Sequence, residues 1–124
     1  MKRDMDLIRS ILIMLEDAPF DGGPLRIARK MPDHPPDEIS YHVMLLHEAG
    51  LIHAFNRSGG EFVLWEPAYI TWQGHEFLEA AKDDTRWNRA KSQFKEKGVP
   101  MVFDVLKSLL VSYAKQALLG PADP

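Results

Sequence analysis

Between Asp4 and Glu16, Leu7, Ile8, Ile11, Leu12, Met14 and Leu15 recur at steps of three and four. Polar Asp6, Arg9 and Ser10 lie between them. That period predicts an amphipathic helix, with Asp4 or Asp6 at its positive end. Pro19 and the run Asp21-Gly22-Gly23-Pro24 stop it. Leu25 to Lys30 roughly alternates and predicts a short strand, with a single helical turn as the alternative. Pro32, Pro35 and Pro36 postpone regular structure. A second helix is predicted from about Pro36 to Ala49, with Asp37 and Glu38 in its first turn. Its inner stripe is Ile39, His42, Val43, Leu45, Leu46 and Ala49, and Gly50 follows where a left-handed cap is wanted.

The period then changes to two. Leu51 to Asn56 predicts a strand, Arg57-Ser58-Gly59-Gly60 a turn, and Glu61 to Ile70 the returning strand. Pro67 belongs at an edge, a bulge or the strand's end. Thr71 is a suitable N-cap for a helix from about Trp72 to Lys82. Asp84 or Thr85 opens another helix to about Lys97, with Trp87, Ala90 and Phe94 inward. A last helix, about Val102 to Leu119, ends at Gly120-Pro121 and leaves a frayed tail.

The order is helix, short strand, helix, two-stranded hairpin, helix, then two more helices. The expected fold is α+β, mostly α: a winged-helix domain with two additional C-terminal helices. Residues 1–82 would form its core, and residues 83–124 a helical extension packed on the same domain. The segments Glu48-Ala49-Gly50-Leu51-Ile52 and Ile70-Thr71-x-x-Gly74-x-x-Phe77-Leu78 are similar to those of arsenical-resistance-type and multiple-antibiotic-resistance-type repressors.

A closer resemblance covers nearly the whole chain. Its blocks are Met1 to Arg9, Ile39-Ser40-Tyr41-His42-Val43 with Glu48 to Ile52, and Thr71 to Leu78 followed by Asp83-Asp84-Thr85-Arg86-Trp87. These resemble a family of small bacterial and phage proteins catalogued as a domain of unknown function. The resemblance implies a small, often prophage-borne, winged-helix-like protein. It implies no activity, substrate or catalytic residue.

Composition narrows the chemistry. The chain has 124 residues, a formal net charge of -3 and no cysteine. Disulfides, thiol catalysis and cysteine-based zinc sites are excluded. No apolar run approaches a membrane span, and the charged N-terminus is unlike a signal peptide, so a cytoplasmic protein is expected. The five histidines show no His-x-x-x-His spacing, and no Gly-rich phosphate loop or nucleophile–base set is present. The expectation is a non-enzymatic binding protein with no metal and no cofactor. His42 reads as a hydrogen-bonded core histidine, and Trp65, Trp72 and Trp87 as core anchors.

DNA binding in transcriptional control is the most concrete version. The second helix would enter the major groove and the wing would touch phosphates. Ser40, Tyr41, Met44 and His47 would face outward, with Arg57 and Ser58 on the wing and Arg26, Arg29 and Lys30 just before the helix. Lys2, Arg3 and Arg9 would extend the footprint. Against this, Asp37 and Glu38 sit at the helix start, and the outward face lacks Arg, Lys, Asn and Gln, the usual base readers. A protein-binding module on the same scaffold, such as a phage-encoded modulator, is the competing expectation.

Arg86, Arg89, Lys91, Lys95 and Lys97 form the most basic stretch and read as stems lying over a buried stripe. On the last helix, Phe103, Leu106, Leu109, Leu110, Tyr113, Ala114 and Ala117 form an apolar arc of roughly 140°. A homodimer through Phe103, Leu106, Leu110, Tyr113 and Ala117 is the corresponding expectation.

Overall fold

A computed structural model describes residues 1–120. The elements are α1 (Met5–Asp17), a three-residue 3-10 turn (Ala28–Lys30), α2 (Pro36–Glu48), β1 (Ile52–Asn56), β2 (Trp65–Ile70), α3 (Trp72–Ala81), α4 (Asp84–Lys97) and α5 (Phe103–Leu119). The protein is α+β and mostly helical, as expected, with one antiparallel two-stranded sheet among the described residues. It divides into two compact units, Met1–Glu76 and a second that begins at Phe77, so the division falls inside α3.

In the first unit, α1 and α2 pack on each other and on the sheet. Asp4 caps α1 by accepting the N–H groups of Asp6 and Leu7 at 2.9 and 3.2 Å. Leu7, Ile8, Ile11, Leu12 and Leu15 are buried along one face of α1, and Ile39, Val43 and Leu46 along α2. Each such side chain contributes roughly 1.5–3 kcal/mol of burial. His42 is fully buried, as the inner stripe requires. Its Nδ1 donates to the Glu38 carbonyl at 2.8 Å, and its Nε2 accepts the Asp4 N–H at 2.8 Å. The ring therefore ties the start of α1 to α2 and satisfies both of its nitrogens.

The hairpin register pairs Ile52 with Ile70, His53 with Tyr69, Ala54 with Pro67, Phe55 with Glu66 and Asn56 with Trp65. The shift between His53 and Ala54 leaves Ala68 as the extra residue of a bulge, next to Pro67. That is one of the positions the proline allows. The returning strand starts at Trp65 rather than Glu61 because Ser58 Oγ takes the Leu64 N–H at 2.9 Å. Pairing continues through Arg57 N–H to Leu64 O and Gly59 N–H to Phe62 O, which leaves Phe62 and Val63 exposed.

The short strand expected at Leu25–Lys30 does not form. Leu25 N–H donates to Pro67 O at 2.8 Å, and there the pairing stops. In a strand the N–H and C=O of one residue point to the same side, so Pro67 has no N–H to return. The chain instead turns at Ala28–Lys30 and buries Ile27 and Met31.

The hairpin returns to the helices through one tight junction. Gly50 adopts a left-handed φ of 77° and ends α2. Thr71 N–H donates to Leu51 O at 3.0 Å, and Thr71 Oγ1 donates to Gly50 O at 2.6 Å. The same Oγ1 accepts the Gly74 N–H at 3.1 Å, which caps α3. A Cβ on Gly74 would collide with the Leu51 carbonyl and stand 2.5 Å from Ile70 Cγ2.

In the second unit α5 packs on α4. Asp83, not Asp84 or Thr85, caps α4 by accepting the Arg86 N–H at 2.8 Å. Trp87, Ala90 and Phe94 are buried, and Gly98 closes the helix with a φ of 65°. The Arg89 guanidinium lies 3.9 Å above the Tyr113 ring, so this member of the basic stretch covers an aromatic side chain. Phe77 and Phe103 meet with ring centroids 4.9 Å apart. Of the residues expected to face a second copy, Leu106, Leu110 and Tyr113 are buried within one chain, Phe103 is half-buried, and only Ala117 is exposed. The buried ones lie inside where α5 packs on α4. The apolar remainder is Val105, Leu118 and Leu119. Gly120 follows the helix, whereas the stop expected at Pro121 lies outside the described residues. Of the three tryptophans only Trp87 is a core anchor; Trp65 is half-buried and Trp72 is 77% exposed.

Gly74→Ala is expected to destabilise the protein by about 3 kcal/mol, because backbone rather than a flexible side chain opposes the added carbon. Chemical denaturation of the two proteins checks this. His42→Leu should cost about 2 kcal/mol by leaving the Asp4 N–H without its partner.

Candidate functional site

The first unit brings its exposed chemistry together where the 3-10 turn, the start of α2 and the base of the hairpin loop meet. A cavity of about 300 Å³ opens there. Ile27, Ile39, Val63 and Trp65 supply apolar wall, and Arg26, Arg29, Ser40, Arg57 and Glu66 also line it. Three of the arginines proposed from sequence therefore do converge.

The residue that organises them escaped the sequence reading. Glu66 is buried, and its carboxylate lies 3.2 Å from Arg57 Nε and 3.9 Å from Arg26 Nε. Glu66 pairs across the sheet with Phe55, and on a half-buried strand its alternation alone gave no sign of an inward charge. Desolvating a carboxylate is costly unless cations approach it, and here two do. Arg29 is exposed and has no ion-pair partner among the described residues. Three guanidinium charges against one carboxylate leave this cavity with a surplus of positive charge.

The other sequence candidates separate into two groups. Ser40 does not face outward: it is 2% exposed, and its Oγ accepts the Trp65 N–H at 3.2 Å. It is drawn in because the end of the hairpin needs an acceptor. Ser58 is exposed but its Oγ accepts the Leu64 N–H, and His47 Nδ1 accepts the Ala54 N–H at 3.2 Å. These three side chains complete the fold's own hydrogen bonds. Tyr41 and Met44 remain half-exposed, and Lys30 is exposed. Leu45, expected on the inner stripe, is only half-buried and joins Asp37, Glu38 and Glu48 on the open face of α2, and Ala49, expected there too, is exposed. Glu38 also pairs with His34 at 2.8 Å. The α2 helix carries no lysine or arginine.

A chain of rings crosses the outer sheet face. Tyr69 stacks on His53, Phe20 meets Tyr69 edge-on, and His53 touches Phe55 and His47. Among the described residues no three His, Asp or Glu side chains are placed to hold a metal ion. No described helix is long and apolar enough to cross a membrane.

This arrangement defines a small domain with a charged cavity beside an acidic and apolar helix face. The chain belongs to the family described as "Hypothetical protein (DUF2513)", whose profile matches residues 2–100. It is also similar to an uncharacterized protein of Haemophilus influenzae (strain ATCC 51907 / DSM 11121 / KW20 / Rd). The two are 37% identical over 122 residues, which span 95% of this chain and 99% of that protein. No solved structure matches the chain. The membership agrees with the resemblance in the three sequence blocks.

The Glu66–Arg57 pair is expected to show a coupling of about 1 kcal/mol in a double-mutant cycle of Glu66→Gln and Arg57→Gln, since one partner is buried and the other half open to water. Urea denaturation of the four proteins measures it.

Proposed function

We propose that this protein is a non-enzymatic binding module on a winged-helix scaffold, and that it engages a protein partner through α2 and the hairpin loop. The order α1, α2, hairpin, α3 is compatible with that scaffold. The observation that carries the choice of partner is the open face of α2. It offers Asp37, Glu38 and Glu48 together with Tyr41, Met44 and Leu45, and no fixed positive charge. A helix lying in a DNA groove is flanked by phosphates, and carboxylates at its N-terminal end are repelled by them. An acidic rim around apolar and aromatic side chains instead suits a protein surface. Phe62 and Val63 extend the apolar area onto the loop, 58% and 61% exposed.

The convergence of Arg26, Arg29 and Arg57 favours a second reading, in which the loop base contacts DNA phosphates. Glu66 weighs against it, because it already occupies two of the three. The element before α2 is also a single 3-10 turn, where a helix-turn-helix reader has a helix lying across the backbone.

A photoreactive amino acid placed at Met44 or at Phe62 tests the proposal in living cells of the native host. Irradiation should give the same discrete protein adduct from both positions and none from Ser10, which is exposed on α1. Adducts to DNA, or no adduct from either position, would contradict it.

A further inference from the structure

The cavity at the loop base has features that the protein-docking face does not explain. It is concave, it is walled by Ile27, Ile39, Val63 and Trp65, and it carries more positive than negative charge. About 300 Å³ lies at the lower end of small-molecule sites, enough for a compact ligand of one or two rings. Such sites combine apolar wall with a few polar groups that fix orientation.

We propose that this cavity binds a small amphipathic anion, an apolar ring system bearing a carboxylate. The ring system would lie against Ile39 and Trp65, and the carboxylate would meet Arg29 and Arg57. A guanidinium presents five N–H donors in a planar fork matched to carboxylate geometry. Glu66 uses only part of that capacity: its Oε1 lies near Arg57 Nε and its Oε2 near Arg26 Nε. Arg29 brings a further fork with no protein carboxylate paired to it among the described residues. Glu66 is the internal carboxylate with which an anion competes for Arg57. A cationic ligand would have to reach a carboxylate that already has two guanidinium neighbours, and would meet Arg29 on the way.

The site is independent of which macromolecule the α2 face contacts, so its test contains neither DNA nor a partner protein. The full chain, labelled with ¹⁵N, is titrated with 2-naphthoate, and the three tryptophan indole signals are followed. Trp65 lines the cavity and Trp72 and Trp87 do not, so the Trp65 signal alone should move, and saturably. Arg29→Gln removes an exposed side chain and should weaken binding by roughly tenfold, the usual effect of losing a charge-assisted contact. Glu66→Gln should tighten it, because the competing carboxylate is gone. A merely structural role for Glu66 would not produce a gain. Neutral 2-naphthylmethanol should bind at least about tenfold more weakly than the acid. The proposal fails if Trp65 does not respond up to about 5 mM naphthoate, a concentration that detects even millimolar affinity. It also fails if the alcohol binds as well as the acid, or if Glu66→Gln weakens binding.

Discussion

The Leu51 carbonyl accepts the Thr71 N–H while the first turn of α3 passes directly over it, and a residue with a side chain would not let that turn by. Gly74 has none. Around this close approach the other pieces of the first unit take their places. Gly50 turns the chain out of α2 with a positive φ, Thr71 Oγ1 ties the two crossings together, and the hairpin between them is held with both ends at one point. The same junction sets the direction in which β1 and β2 leave the helices. It thereby brings the loop base, with Arg57 and Glu66, over the start of α2.

Charge at that loop base follows from one buried carboxylate. Glu66 in water would hold no arginine for long, since exposed pairs are worth little. Buried on β2, it has a strong need for positive neighbours, and Arg26 and Arg57 come to it from two different loops. Two basic side chains thus share one buried carboxylate at the loop base. The α2 face shows the opposite economy. Its acids stand at the helix N-terminus, where they suit the dipole, and they leave the helix with a surface that repels phosphate.

Much of this was legible in the residues. The five predicted helices and the hairpin announced themselves by period, and Asp4, Gly50 and Thr71 punctuate them as local chemistry demands. His42 was recognisable as a core histidine because it sits on the inner stripe of α2. What the pattern could not disclose were long-range polar contacts. Ser40 looks like surface until Trp65, 25 residues away, supplies the N–H that draws it inward. Glu66 looks like the solvent side of a strand until two arginines are seen around it. Leu25 to Lys30 alternates like a strand, but the backbone hydrogen bond it makes to the sheet goes to the proline that cannot donate in return. On the last helix a wide apolar arc states only that something must cover it, and here Leu106, Leu110 and Tyr113 are covered within the chain.

In the proposed role, the helix and loop face of this domain meets a protein surface and not a phosphate backbone. The most direct test is fluorescence anisotropy of random-sequence duplex DNA with the purified protein at several low salt concentrations. Phosphate contacts produce an affinity that falls steeply with salt, and nearly every DNA reader shows this sequence-independent component. No binding is expected at about 100 μM protein even at the lowest salt, a range in which nonspecific readers already bind. Micromolar binding that weakens with salt and is lost in Arg29→Ala and Arg57→Ala would contradict it and place DNA on this face.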